Sequence, residues 1–141
     1  MAQKIKLGSR PKTFARVIKF PMVEGGEGCM EVQYRYRTRS ELASLTDEIQ
    51  AAAKAQADSD FAAMKAKLDS GEMAETLKQS DILDRDITLQ VDYVMQAVDG
   101  WNLDEKFDRA AIEQLADELP AAISAIIENY RKAINEGRLG N

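Results

Sequence analysis

CMEVQYRYRTRSEL, Cys29 to Leu42, changes its periodicity partway along, and that change decides how the rest of the chain is read. Met30, Val32, Tyr34 and Tyr36 share one parity, while Glu31, Gln33, Arg35 and Arg37 take the other. A strand with one buried face requires this alternation, because successive side chains leave opposite sides of the backbone. At Thr38 the pattern breaks. Thr38 and Glu41 stand at the spacing of a reciprocal helix cap, in which the hydroxyl takes the N–H of Glu41 and the carboxylate takes that of Thr38. A strand therefore gives way to a helix within a few residues.

Upstream, TFARVIKFPM (13–22) places Phe14, Ile18 and Phe20 on one parity, and VEGGEG separates it from the second run. The two runs predict a β-hairpin over residues 13–37, with Pro21 at an edge or near a strand end. Residues 1–12 read as a flexible basic lead-in.

Downstream, the capped helix runs through Leu42, Leu45 and Ile49 into an alanine-rich stretch, and Phe61, Met64 and Leu68 continue at helical spacing up to Gly71. Residues 71–80 are polar and read as a short helix or a loop. Ile87, Val91, Val94, Met95 and Val98 then fall on one face of an amphipathic helix, with Gly100 suited to a left-handed residue at its end. Asp108 is placed to cap a further helix, with Phe107 and Ile112 at staple spacing and Ile112, Leu115 and Leu119 as its stripe. Pro120 fits the first turn of a last helix carrying Ile123, Ile126, Ile127, Tyr130 and Ile134, which Gly137 ends. The expected fold is α+β and predominantly helical: an N-terminal β-hairpin followed by a bundle of four to five helices (38–141), within one domain of 141 residues.

Composition narrows the function. The chain has no histidine, which removes the usual general base near neutral pH and the commonest metal ligand. Cys29 is the only cysteine, so no intramolecular disulfide is possible, and a reducing compartment suits it. No apolar run reaches the length of a membrane span, and the first residues lack the apolar segment of a secretory signal. The net charge is −5, yet residues 1–40 carry nine basic side chains against three acidic ones. That split suggests a polar contact surface or head-to-tail attraction between copies.

No pattern marks a catalytic, cofactor or metal site. Asp81, Asp84, Asp86 and Asp92 read as a solvated helix start, where the dipole favours acids, before they read as metal ligands. The stretch from Asp99 fails as a calcium loop, because Trp101 and Leu103 occupy early ligand positions and the central glycine is missing. GGEG is a hairpin turn and matches no phosphate loop. Cys29 has no base beside it and reads as a small packing residue. Asp and Glu are plentiful, but no pair is singled out for acid–base work.

Contact is the remaining reading. The stretch VDGWNLDEKFD, Val98 to Asp108, holds the single tryptophan and reads as a corner between two helices. Trp101 there either pins the corner to the core or offers part of its ring to a partner. Arg35, Arg37 and Arg39 interleave with Tyr34 and Tyr36, but the tyrosines point away from the arginines, and the chain is acidic as a whole. Both facts argue against a nucleic-acid platform. An adaptor using the basic hairpin on an acidic protein or nucleic acid is the competing reading.

The order YRYRTRSELASLTDEI, VDGWNLDEKF, LADELPAAISAIIENYRKAI and the closing GRLGN resembles the tail assembly chaperones of tailed bacteriophages and prophages. The resemblance spares only the alanine-rich middle, roughly residues 54–80. It implies a non-enzymatic, cofactor-free protein of the infected host's cytoplasm, absent from the mature virion. The implied partners are the tape measure protein, the tail tube protein, and a frameshifted longer form of the chain itself; a homo-oligomer is a further possibility. Trp101, Leu103, Phe107, Tyr130, Arg35, Arg37 and Arg39 are the positions to test first, although no family motif assigns them. Met64, Met73 and Met95 would supply adaptable apolar contacts, with core packing the plainer role for Met95.

Overall fold

In a computed structural model, residues 6–8, 10–71 and 79–137 are described. The expectations for residues 1–5, part of the 71–80 segment, Met73 and the closing RLGN lie outside them. The element order is β1 (Thr13–Pro21), β2 (Glu27–Arg35), α1 (Arg39–Asp69), α2 (Gln79–Ala97), β3 (Val98–Trp101), α3 (Arg109–Glu118) and α4 (Pro120–Glu136). The α+β class, the N-terminal hairpin and the helical remainder agree with the sequence reading.

The hairpin keeps the expected register, with Phe14 opposite Tyr34 and Ile18 opposite Met30. Phe14, Ile18, Phe20, Met30, Val32 and Tyr34 are all buried on one face of the sheet. Each such side chain contributes about 2 kcal/mol on leaving water. Gly25 and Gly26 both have positive φ, which lets the turn close with the Gly25 N–H donating to the Met22 carbonyl at 3.1 Å. Pro21 ends β1 on the outer edge, where its missing N–H breaks no ladder.

Thr38 and Glu41 form the full capping box, with the Glu41 N–H donating to Thr38 Oγ1 at 3.2 Å and the Thr38 N–H to Glu41 Oε1 at 3.0 Å. Hydrogen bonding from Thr38, its backbone N–H first and its side chain second, holds the Glu41 carboxyl below its ordinary value. Asp108 caps α3 through the Ala111 N–H at 2.8 Å, Pro120 opens α4, and left-handed Gly137 ends it.

One expectation is corrected. Gly100 is not a left-handed helix cap, because its φ is not positive. Val98–Trp101 forms a third strand instead, antiparallel to β2, with Val32 opposite Trp101 and Tyr34 opposite Val98 across an irregularity at Asp99. Four residues directly after a helical stripe are too few to display alternation; the open edge of β2 decides their conformation. Asn102 extends the pairing, donating its N–H to the Glu31 carbonyl at 3.1 Å and accepting the Glu31 N–H on Oδ1 at 2.8 Å.

The sheet, ordered β1-β2-β3, packs one face on α4 and α2. Its inner side chains join those of α2, α3 and α4 and the start of α1 in one cluster of buried residues. Beyond Leu45 the 31-residue α1 buries nothing fully. It extends about 46 Å, and its outer half relies on helix propensity, with eight alanines between residues 51 and 69. The first half of α2 runs beside it, held by the Arg85–Asp60 ion pair at 2.8 Å. Together they make an arm that leaves the core.

Candidate protein-binding surface

The three arginines do not form one patch. Arg35 points to the outer face of the sheet and pairs with Asp99 at 3.6 Å, both side chains about half exposed. Arg37 lies past the end of β2, where strand parity no longer governs, and turns inward. Its Nη1 donates to the Gln96 carbonyl at 2.7 Å and to the Tyr130 hydroxyl at 3.1 Å. Arg39 is the exposed first residue of α1 and makes no salt bridge with a described residue.

Tyr130 is fully buried, and its hydroxyl donates to the Arg35 carbonyl at 2.9 Å. It packs in an aromatic cluster under the hairpin, stacked on Phe14, tilted against Tyr34 and edge-on to Tyr93, with ring centroids 5.1 Å apart for Tyr34 and 6.3 Å for the other two. Burial raises the pKa values of Tyr34, Tyr93 and Tyr130, that of Tyr93 to about 12. Tyr93 differs from its neighbours in one respect: its buried hydroxyl has no hydrogen-bond partner among the described residues.

Trp101 is half-buried against the core, on the sheet face shared with Val32. Its indole N–H donates to the Glu105 carbonyl at 2.8 Å, and its ring meets Phe107 edge-on at 5.0 Å. Leu103 is likewise half-buried, and with Trp101 it lines a small cleft of about 200 Å³ against Leu115 and Leu119. Trp101, Leu103 and Phe107 thus come together, while Tyr130 belongs to a different cluster.

The arm also exposes apolar side chains that were not among the candidate contact positions. Phe61 is 69% exposed and Leu68 53%, and Ile82, Leu83 and Leu89 on α2 are each more than a third exposed. Phe61 and Leu68 stand seven apart on α1, as do Ile82 and Leu89 on α2, so each pair shares a helix face. On the same face of α2, Tyr93 follows four residues after Leu89. There the helices α1, α2 and α4 border a groove of about 560 Å³ whose apolar lining includes Leu42, Ile49, Leu89, Tyr93 and Ile127. The periodicity of Phe61, Met64 and Leu68 was visible in the sequence. Their exposure was not, because a core helix carries the same stripe.

Among the described residues no group of acidic or cysteine side chains could hold a metal ion, and no helix is long and apolar enough to cross a membrane. Exposed aliphatic and aromatic side chains on long helices, beside a groove with apolar lining residues, are the kind of surface that partner helices cover. The chain belongs to the phage tail assembly chaperone family, whose profile matches residues 1–141 in full. That family is non-enzymatic and serves tail morphogenesis. No curated protein and no solved structure matches the chain.

Proposed function

We propose that this chaperone binds the tape measure protein in the cytoplasm of the infected host, keeps its amphipathic helices soluble, and helps recruit tail tube subunits around it. It acts by reversible, non-covalent contact. The observation that carries this reading is the arm, where Phe61, Leu68, Ile82, Leu83 and Leu89 stay exposed to water on helices anchored in the core elsewhere along their length. Leaving such side chains exposed forgoes stabilisation that burial would supply, and a partner helix that covers them recovers it. A long helical protein not yet enclosed by its tube carries the complementary apolar stripe and aggregates unless covered. Trp101, Leu103 and Phe107 offer a second, smaller contact beside α3.

Co-expression with the tape measure protein tests the reading. The wild-type chain is expected to hold that protein in the soluble fraction and to co-purify with it. A Phe61→Ser, Leu68→Ser double variant is expected to fold normally and to lose both effects. Equal solubility with and without the chaperone would refute it, and salt-sensitive binding to random DNA would favour an adaptor using the basic hairpin instead.

A further inference from the structure

The groove where the arm meets the core is electrically lopsided. Arg39 from the first turn of α1 and Arg131 from α4 both line it. Arg39 has no carboxylate partner among the described residues, and Arg131 reaches only Glu128, three residues before it on the same helix, at a long 3.8 Å. Asp47 is the one acidic side chain in the lining. Leu42, Ile49, Leu89 and Ile127 supply the apolar part of the lining, and the exposed pair Ile82 and Leu89 leads along α2 to Tyr93 within it.

We infer that this groove receives the C-terminal turn of a partner's amphipathic helix, with the apolar stripe on Leu42, Ile49, Leu89 and Ile127 and the negative end against Arg39 and Arg131. The inference rests on the proposed role as a chaperone of helices, and adds a direction to it. Charge complementarity carries the argument. The last four carbonyls of a helix lack intrahelical partners and concentrate the negative end of its dipole, so two guanidinium groups with spare donors suit them. An N-terminal turn would bring free N–H groups and positive potential to the same arginines and would be repelled. A groove whose lining combines two arginines and one aspartate with apolar side chains therefore selects one polarity of helix from two that bury equal apolar area.

The test uses two fluorescein-labelled peptides of roughly 18 residues, about 27 Å of helix, identical in leucine and alanine stripe. One carries its glutamates in the last turn with a free C-terminal carboxylate. The other carries them in the first turn and ends in an amide. Fluorescence anisotropy with the whole chain is expected to show the first binding about tenfold more tightly at low salt, with the preference fading as salt rises. Arg39→Glu and Arg131→Glu should each erode that preference while leaving the melting temperature nearly unchanged, because both side chains lie on the surface. Equal binding of the two peptides, or a preference that survives both reversals, overturns the assignment. So does sedimentation showing that a second copy of the chain fills the groove and that the peptides merely compete with it. If the Phe61→Ser, Leu68→Ser variant still loses the tape measure protein while the peptides bind alike, the chaperone role stands and only the polarity falls.

Discussion

The hydroxyl of Tyr34 donates to the main-chain carbonyl of Ile126 at 2.7 Å, tying the central strand to α4 across 92 positions of sequence. Tyr130 returns the tie from the helix to the strand, through the Arg35 carbonyl. These crossed bonds hold the sheet on its helical layer, and the surface built on α1, α2 and α4 depends on that layer staying in place.

Removing the hydroxyls should separate the three buried tyrosines. Tyr34→Phe and Tyr130→Phe are each expected to destabilise the fold by about 1 kcal/mol, the net worth of a buried hydrogen bond. Tyr93→Phe is expected to be neutral or stabilising, because its hydroxyl is buried without a partner among the described residues. Urea unfolding of the three variants checks the order, and a Tyr93→Phe variant as weak as the other two would contradict it.

Alkaline pH should unfold the protein through the same cluster. The folded state raises the phenol pKa values of Tyr34, Tyr93 and Tyr130 above the ordinary 10.0, through burial first of all. Folding therefore holds these protons more tightly than the unfolded chain does. That contribution is complete below about pH 10 and is lost as pH rises toward the raised values. An ultraviolet titration should show most tyrosine ionising together with loss of structure. Four phenols titrating normally in a folded protein would contradict this.

Trp101→Ala is expected to destabilise the chain by about 2–3 kcal/mol, below the cost for a wholly buried ring, since Trp101 is only half-buried. The lost contacts are the Phe107 edge, the Glu105 carbonyl bond and packing beside Val32. Trp101→Phe should recover most of the stability. Chemical denaturation of both variants measures the difference, and an Ala variant as stable as wild type would show that the ring serves contact alone.

Phe61→Ser and Leu68→Ser should change stability by less than about 0.5 kcal/mol each, as expected at exposed helical positions. Their effect should fall on client binding, read as tape measure protein lost from the soluble fraction. A large drop in melting temperature would mean that the arm packs more than its exposure indicates.

Local chemistry in the sequence was enough for the hairpin, the Thr38–Glu41 box, the Asp108 cap and the Gly137 terminus, because each depends on residues within a few positions of one another. Strand parity placed Tyr34 inward and Arg35 outward for the same reason. It stopped being informative at Arg37, where the strand has ended and a long side chain turns back toward Tyr130. The candidate site was legible only as a set of stripes: Phe61 and Leu68 have the spacing of core residues and are in water.

By itself, then, the sequence determined the class of fold, the ends of most helices and the lack of histidine chemistry, all consequences of short-range capping, periodicity and composition. Tertiary structure alone decided that Val98–Trp101 pairs as a strand, that the three arginines diverge, and that the arm keeps its apolar side chains exposed. Those outcomes depend on which distant surfaces meet: the free edge of β2 was there to be paired, and among the described residues nothing buries Phe61 or Leu68 on the outer half of α1.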